Sequence, residues 1–351
     1  MTAGHFTRDD TNFYKGVAIL MIAIHNYFHA RQGFHIENEM TFSPDNIRQF
    51  WGHITSLNLD DTVAAWFSLL GHYGVQLFIF FSAYGLSIQY ARHQGSDFAF
   101  VGHRLKKIYF LMLFGIVVAL IFTYAPFNDR PGVLWVTRDT LLLGSTLNAF
   151  SRAHIYGLFK GPFWFFGLII QVYVLFPWIY RYATSGGRRT MALGFAIAYA
   201  ALYAGYYLGL GTSINVMGSV IGHAPEVLLG IALARYGVPK LSSLHALPLA
   251  ALFIASQIWE WAYVLSFACV TLLLIWIAES IKPHLNDTAK RTLIYTGKIS
   301  MIIFVVNACV RDLRYFDSHT LAMLPIYLPV LGIASIVLWK IYEFLTAHLK
   351  I

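Results

Sequence analysis

The stretch FYKGVAILMIAIHNYFHA, residues 13–30, decides how this chain is read. It approaches the run of about 20 apolar residues that crosses a bilayer core. Yet it holds Lys15, His25, Asn26 and His29. At about 1.5 Å per helical residue, His25 stands about 15 Å along the axis from Lys15. His25 and His29 are four residues apart and share a face. Ionisable groups at membrane depth are costly and therefore candidates for function. A neutral imidazole there can take a proton from a hydroxyl; the structural alternative is a packed histidine bonding a neighbouring helix. The spacing also suits a metal ligand pair, but no third ligand is evident and no metal is expected.

The rest of the chain agrees with a membrane setting. Hydrophobic residues make up 58% of the 351 and charged residues 12%, against roughly 25% charged in a soluble protein. That excludes disorder, a coiled coil, a secreted disulfide scaffold and a nucleic-acid module. Cys269 and Cys309 lie in apolar runs and read as buried, inert thiols. The first apolar run lacks a small-residue cleavage site and reads as an uncleaved span.

Ten stretches are expected to cross: 13–30, 62–90, 105–125, 163–181, 190–210, 217–236, 244–259, 262–280, 293–311 and 323–346. Gly71, Gly74 and Gly85 predict a tilt or break within 62–90. The shorter stretch 133–147 reads as interfacial or re-entrant. Most of the 25 Lys and Arg fall on the side of the N-terminus, so the fold class expected is an all-α polytopic membrane protein with about ten transmembrane helices and both termini cytoplasmic. The long loops 31–61 and 126–162, which include Arg130, Arg138, Arg152 and Lys160, then face outward.

Further polar residues stand out. His103-Arg104-Leu-Lys106-Lys107 opens the third span; positive-inside placement explains it, and so does a clamp for phosphates. Glu226 sits near the middle of the expected span 217–236 without a partner at i±4. It is protonated, paired with another helix or lining a wet cavity, and a structural ion pair is the plainer alternative. Asn307 and Gln171 read as interhelical hydrogen-bonding groups.

Four segments in order resemble the membrane-bound acyltransferase 3 family, whose members transfer acyl groups to sugars and other acceptors. They are Lys15…His25; GVQLFIFFSAYGL at 74–86 followed by Arg104-Leu-Lys-Lys107; Trp164…Gln171-Val-Tyr173-Val-Leu-Phe176-Pro177; and Gly297-Lys-Ile-Ser300…Phe304-Val-Val-Asn307. The resemblance covers essentially the whole chain, so 1–351 is expected to be one acyltransferase domain. There are departures. Asn26 occupies the usual place of the first-span histidine, Lys15 replaces an arginine, Lys107 replaces the second arginine of a pair, Ile169 stands where the family has Glu, and Asn307 where it has His.

The resemblance implies an acyl-coenzyme A donor, acetyl-CoA above all, on the cytoplasmic side, with Lys15, Arg104, Lys106 and Lys107 holding its phosphates. It implies a carbohydrate or other hydroxyl acceptor on the outer side and a multi-pass chain in a bacterial inner membrane. Acyl transfer needs a base and an oxyanion donor. His25 is the expected base, with Glu226 as a carboxylate that would orient it if the two meet. Asn26, Asn307 and Ser82 are alternative oxyanion donors. The competing class is an exporter of polysaccharide or carrier of a small solute on the same fold.

Overall fold

The computed structural model describes residues 4–121 and 163–351, and every described element longer than an isolated bridge is helical. The expected segment 133–147, the end of 105–125, and Arg130, Arg138, Arg152 and Lys160 lie outside the described residues. Helix α1 spans Arg8–His29 and starts at a capping box, in which Thr7 and Asp10 satisfy each other's backbone N–H groups. A short amphipathic helix, α2 (Pro44–Thr55), follows. Then come α3 (Leu59–Leu70), a 3₁₀ turn at Gly71–Tyr73 and α4 (Gly74–Ala91). Where a tilt or break was expected in 62–90, the chain tightens into this turn within one continuous helix, Leu59–Ala91.

Helix α5 (Asp97–Ala119) is capped by Ser96. Beyond the undescribed stretch come α6 (Trp164–Ser185), α7 (Arg188–Gly209) and α8 (Ala224–Tyr236). They lead to α9 (Ser243–Ile258), the single turn α10 (Glu260–Tyr263) and α11 (Ser266–Ile281). The chain closes with α12 (Asp287–Lys298), α13 (Ser300–Arg311) and α14 (Leu324–Leu349).

The expected count of ten crossings is corrected. Among the described residues, five helices are long and apolar enough to cross: Leu59–Ala91, Trp164–Ser185, Arg188–Gly209, Ser266–His284 and Leu321–Leu349. A sixth arises if α12 and α13, bent by 82° at Ile299, form one broken span. The reasons are local. Arg8, Asp9, Asp10 and Lys15 fill the start of α1, and Arg104, Lys106 and Lys107 interrupt α5. Residues 217–223 fold into turns, leaving α8 only 13 residues. Helix α9 is also short of a crossing. The expected cytoplasmic placement of both termini was read with those ten crossings and is not kept. The chain is an all-α, multi-pass membrane bundle.

Helix α1 is the post around which the others gather, touching α3, α4, α12 and α13. Its seam with α12 is unusually close. A Cβ added to Gly16 would collide with the backbone of Leu293, and one added to Gly297 would collide with the backbone of Asn12. The buried core is continuous and aromatic, with Tyr14, Phe80, Phe81, Phe166 and Phe176 fully enclosed. Asn307 bonds between helices as expected, accepting from Tyr327 at Oδ1, whereas Gln171 Oε1 accepts from the Val220 N–H at 2.9 Å in the turns before α8.

Candidate functional site: two chambers on one helix

The C-terminal half of α1 lines a chamber of about 490 Å³. His25, Asn26 and His29 enter from α1, His72 from the 3₁₀ turn, and His35, Glu37 and Glu39 from the segment after α1. Trp164 and Phe165 of α6 and Phe304 and Arg311 of α13 complete the wall. His25 is buried, 4% exposed. Its Nδ1 lies 3.2 Å from the Phe67 carbonyl oxygen. A carbonyl only accepts, so Nδ1 carries the hydrogen and Nε2 keeps a lone pair. Gly71 makes this fit possible, because a Cβ there would lie 2.6 Å from His25 Cβ. The His25 ring centroid is 5.1 Å from that of His29 and 5.6 Å from that of His72.

Glu226 does not meet His25. It lies in the first turn of α8, not in mid-span, because the residues before Ala224 form turns and Pro225 starts the helix. It is fully buried and 3.6 Å from His223 Nδ1. The His223 ring stacks on Phe267 at 5.1 Å and faces Trp164 at 6.2 Å. Trp164 lines the chamber, so Glu226 stands behind its wall.

The carboxylates that do line the chamber are Glu37 and Glu39, which the sequence reading passed over. Glu37 Oε2 lies 3.1 Å from His29 Nδ1. Burial, followed by the charge of Glu37, pushes Glu39 up to about 8, so it faces the chamber as a neutral acid at pH 7. Their only sequence signal was a Glu-Asn-Glu run soon after His29, ordinary for a polar loop. Of the three oxyanion candidates, only Asn26 lines the chamber; Asn307 is engaged by Tyr327.

Toward the start of α1, an apolar recess adjoins the chamber. It shares Ile22, Val75, Phe165 and Phe304 with it and adds Phe78 and Met301. Its volume, about 10 Å³, matches one water-sized group. One turn further along α4, Phe81 already belongs to a second chamber, of about 900 Å³.

That second chamber is basic. Arg8, Lys15, Arg92 and Arg235 line it, with His5, and no Asp or Glu is among its lining residues. Of the expected donor-binding residues, Lys15 is in this wall. Arg104 reaches it by donating to Gln89, another lining residue. Lys106 instead donates to the Lys350 carbonyl oxygen at 3.0 Å, and Lys107 is exposed. Arg8, Arg92 and Arg235 were not foreseen, since only the fold brings three distant segments to one cavity. Four clustered cations without a carboxylate suit a polyanion such as a nucleotide's phosphates. Among the described residues, no group of three or more His, Cys, Asp or Glu is arranged to hold a metal ion.

The chain is a membrane-embedded helical bundle whose first helix lines a chamber of histidines and carboxylates at one end and a basic chamber at the other. The sequence profile of the family described as an acyltransferase domain matches residues 10–342. The chain therefore belongs to the membrane-bound acyltransferase 3 family. No curated protein and no solved structure matches it.

Proposed function

We propose that this chain is an O-acyltransferase of the bacterial inner membrane. It moves an acetyl group from acetyl-CoA to a hydroxyl of a glycan or related acceptor on the extracytoplasmic side. The observation that supports this reading is that α1 lines both chambers, with Lys15 in the basic one and His25 in the other. Arg8, Lys15, Arg92 and Arg235, supported by Arg104, grip the phosphates of the donor. Its thioester arm reaches His25 by parting the side chains at the recess, Ile22, Phe78 and Met301, which as it stands holds one water-sized group. His25 Nε2 carries the proton that leaves the acceptor oxygen and returns to the departing thiolate sulfur, with the carbon–oxygen bond forming as the carbon–sulfur bond breaks. Asn26 donates a hydrogen bond to the oxyanion.

The test is CoA release from acetyl-CoA by purified protein in lipid nanodiscs, with and without a membrane glycan fraction. Glycan-dependent release is expected. Absence of both release and CoA binding would sink the reading. One observation favours a second reading: α12 and α13, bent by 82° at Ile299, make a broken helix of the kind carriers use, and Phe304 and Arg311 of α13 line the chamber. An exporter of polysaccharide or carrier of a small solute would move its cargo without consuming acetyl-CoA, so the same assay separates the two.

A further inference from the structure

The segment after α1 is held with unusual care for a loop. Asn46 Nδ2 donates to the Glu37 carbonyl at 2.8 Å and to Asn38 Oδ1 at 2.9 Å. Asn38, fully buried, also accepts from the Ser43 N–H at 2.9 Å. Tyr263 donates to the Glu39 carbonyl at 2.7 Å, and Asn215 to the Met40 carbonyl at 3.0 Å. These bonds fix the backbone while leaving the Glu37 and Glu39 side chains to the chamber. A loop needing only anchorage has no use for two carboxylates turned inward.

Glu37 gives His29 what His25 lacks. An ionised carboxylate only accepts, so His29 Nδ1 carries the hydrogen and Nε2 is basic. The carboxylate also stabilises the imidazolium that forms when Nε2 takes a proton, which the Phe67 carbonyl does far less for His25. His35 Nδ1 lies 2.9 Å from His29 Nε2. It donates to the lone pair that a hydroxyl would use, and a hydroxyl arriving at that point replaces it. The charged and titratable groups lining the chamber around His29 are His25, His35, His72, Glu37, Glu39 and Arg311.

We propose that His29, oriented by Glu37, is a second acid–base residue of the chamber, taking the acceptor's proton and handing it to His25. The inference rests on the acyl-transfer reading above. The acceptor's O–H bond breaks as an N–H bond forms at His29 Nε2. That proton moves to His25 Nε2, across rings 5.1 Å apart by centroid. His25 then protonates the thiolate released when the carbon–sulfur bond breaks. No proton is gained or lost overall. His29 serves the acceptor because it lies one turn further out; His25 serves the sulfur because the recess lies one turn below it. Glu37 is a positioning residue.

The experiment uses acetyl-CoA and a membrane glycan fraction with nanodisc-embedded protein. Glu37→Gln is expected to lower kcat at least tenfold with KM for acetyl-CoA unchanged. The acid limb of kcat against pH moves to lower pH, and Glu37→Asp recovers part of the rate. His29→Ala lowers kcat at least as far as Glu37→Gln. A purely structural Glu37 would instead lower yield and thermal stability while the folded protein kept its kcat and pH profile, and that result overturns the proposal. Wild-type protein that neither binds CoA nor releases it removes the acyl-transfer reading itself, and this inference with it.

Discussion

Lys15 and His25 stand on the same helix, and each lines a different chamber. At about 1.5 Å per residue their separation is about 15 Å along the axis. The apolar recess at Ile22, Phe78 and Met301 lies between. The expected roles of the two ends can therefore be separated by mutation.

Reversing a charge in the basic chamber should weaken the donor without disturbing the fold. Arg92 is exposed and makes no ion pair within the described residues. Losing one charge-assisted contact costs about 1.5–3 kcal/mol, so Arg92→Glu should weaken CoA binding by about tenfold or more. Lys107→Glu, on an exposed residue outside the chamber wall, should do much less. Isothermal titration with CoA compares them; equal effects would mean that general surface charge, not the chamber, attracts the donor.

Removing His25 should separate chemistry from donor binding. His25→Ala is expected to lower turnover by about 10² or more, the usual scale for an acid–base residue. CoA affinity should stay unchanged, because the basic chamber is built from other residues. Near-normal turnover from well-folded His25→Ala would return the residue to a structural role.

Gly71→Ala tests the geometry from the other side. The added methyl would lie 2.6 Å from His25 Cβ and 2.7 Å from the Met21 carbonyl oxygen. Overpacking of this kind costs about 1–3 kcal/mol, and here it displaces the His25 side chain. Turnover should fall while CoA still binds. Full turnover in Gly71→Ala would show that His25 need not stay where Phe67 holds it.

Glu39 predicts a slope of stability against pH. Its ordinary value is 4.5, and in the fold burial and then Glu37 raise it to about 8. The native state thus holds a proton that the unfolded chain gives up. Its stabilising contribution is complete below about 4.5, declines as pH rises, and is lost once pH passes about 8. Glu39→Gln keeps the neutral shape and should remove this share of the slope. Denaturant unfolding between pH 4 and 9 measures it (a range about as wide as the two values require). Identical wild-type and variant slopes would contradict the assignment.

The helical membrane class was legible because apolar length and scarce charge leave few alternatives. The tightened turn at Gly71–Tyr73 was legible because Gly71 and Gly74 bracket it. The depth of Glu226 was not. An apolar run from 217 looks like helix to a hydropathy count, which does not register that Ser219 and His223 bond into turns before Ala224. The bend at Ile299 escaped for a similar reason, since Gly297 served as a packing contact with α1 instead of marking the turn itself. Arg8, Arg92 and Arg235 come from three separate segments. Their meeting depends on α4 packing against both α1 and α8, which no local pattern encodes.

The seam between α1 and α12 has a mechanical meaning. Carriers that open alternately to two compartments rock one group of helices against another. Such motion needs side chains between the moving parts that can slide and re-pack. At Gly16 and Gly297 the two backbones touch with nothing between them. Helices α1 and α12 are therefore locked to each other, and the residues α1 gives to the two chambers, Lys15 to one and His25, Asn26 and His29 to the other, keep a fixed spacing. The interval between Lys15 and His25 becomes a ruler. On the proposed reading it selects a donor whose reactive end sits about 15 Å from its anchored charge, and a shorter one held at the same cations would stop before the imidazole.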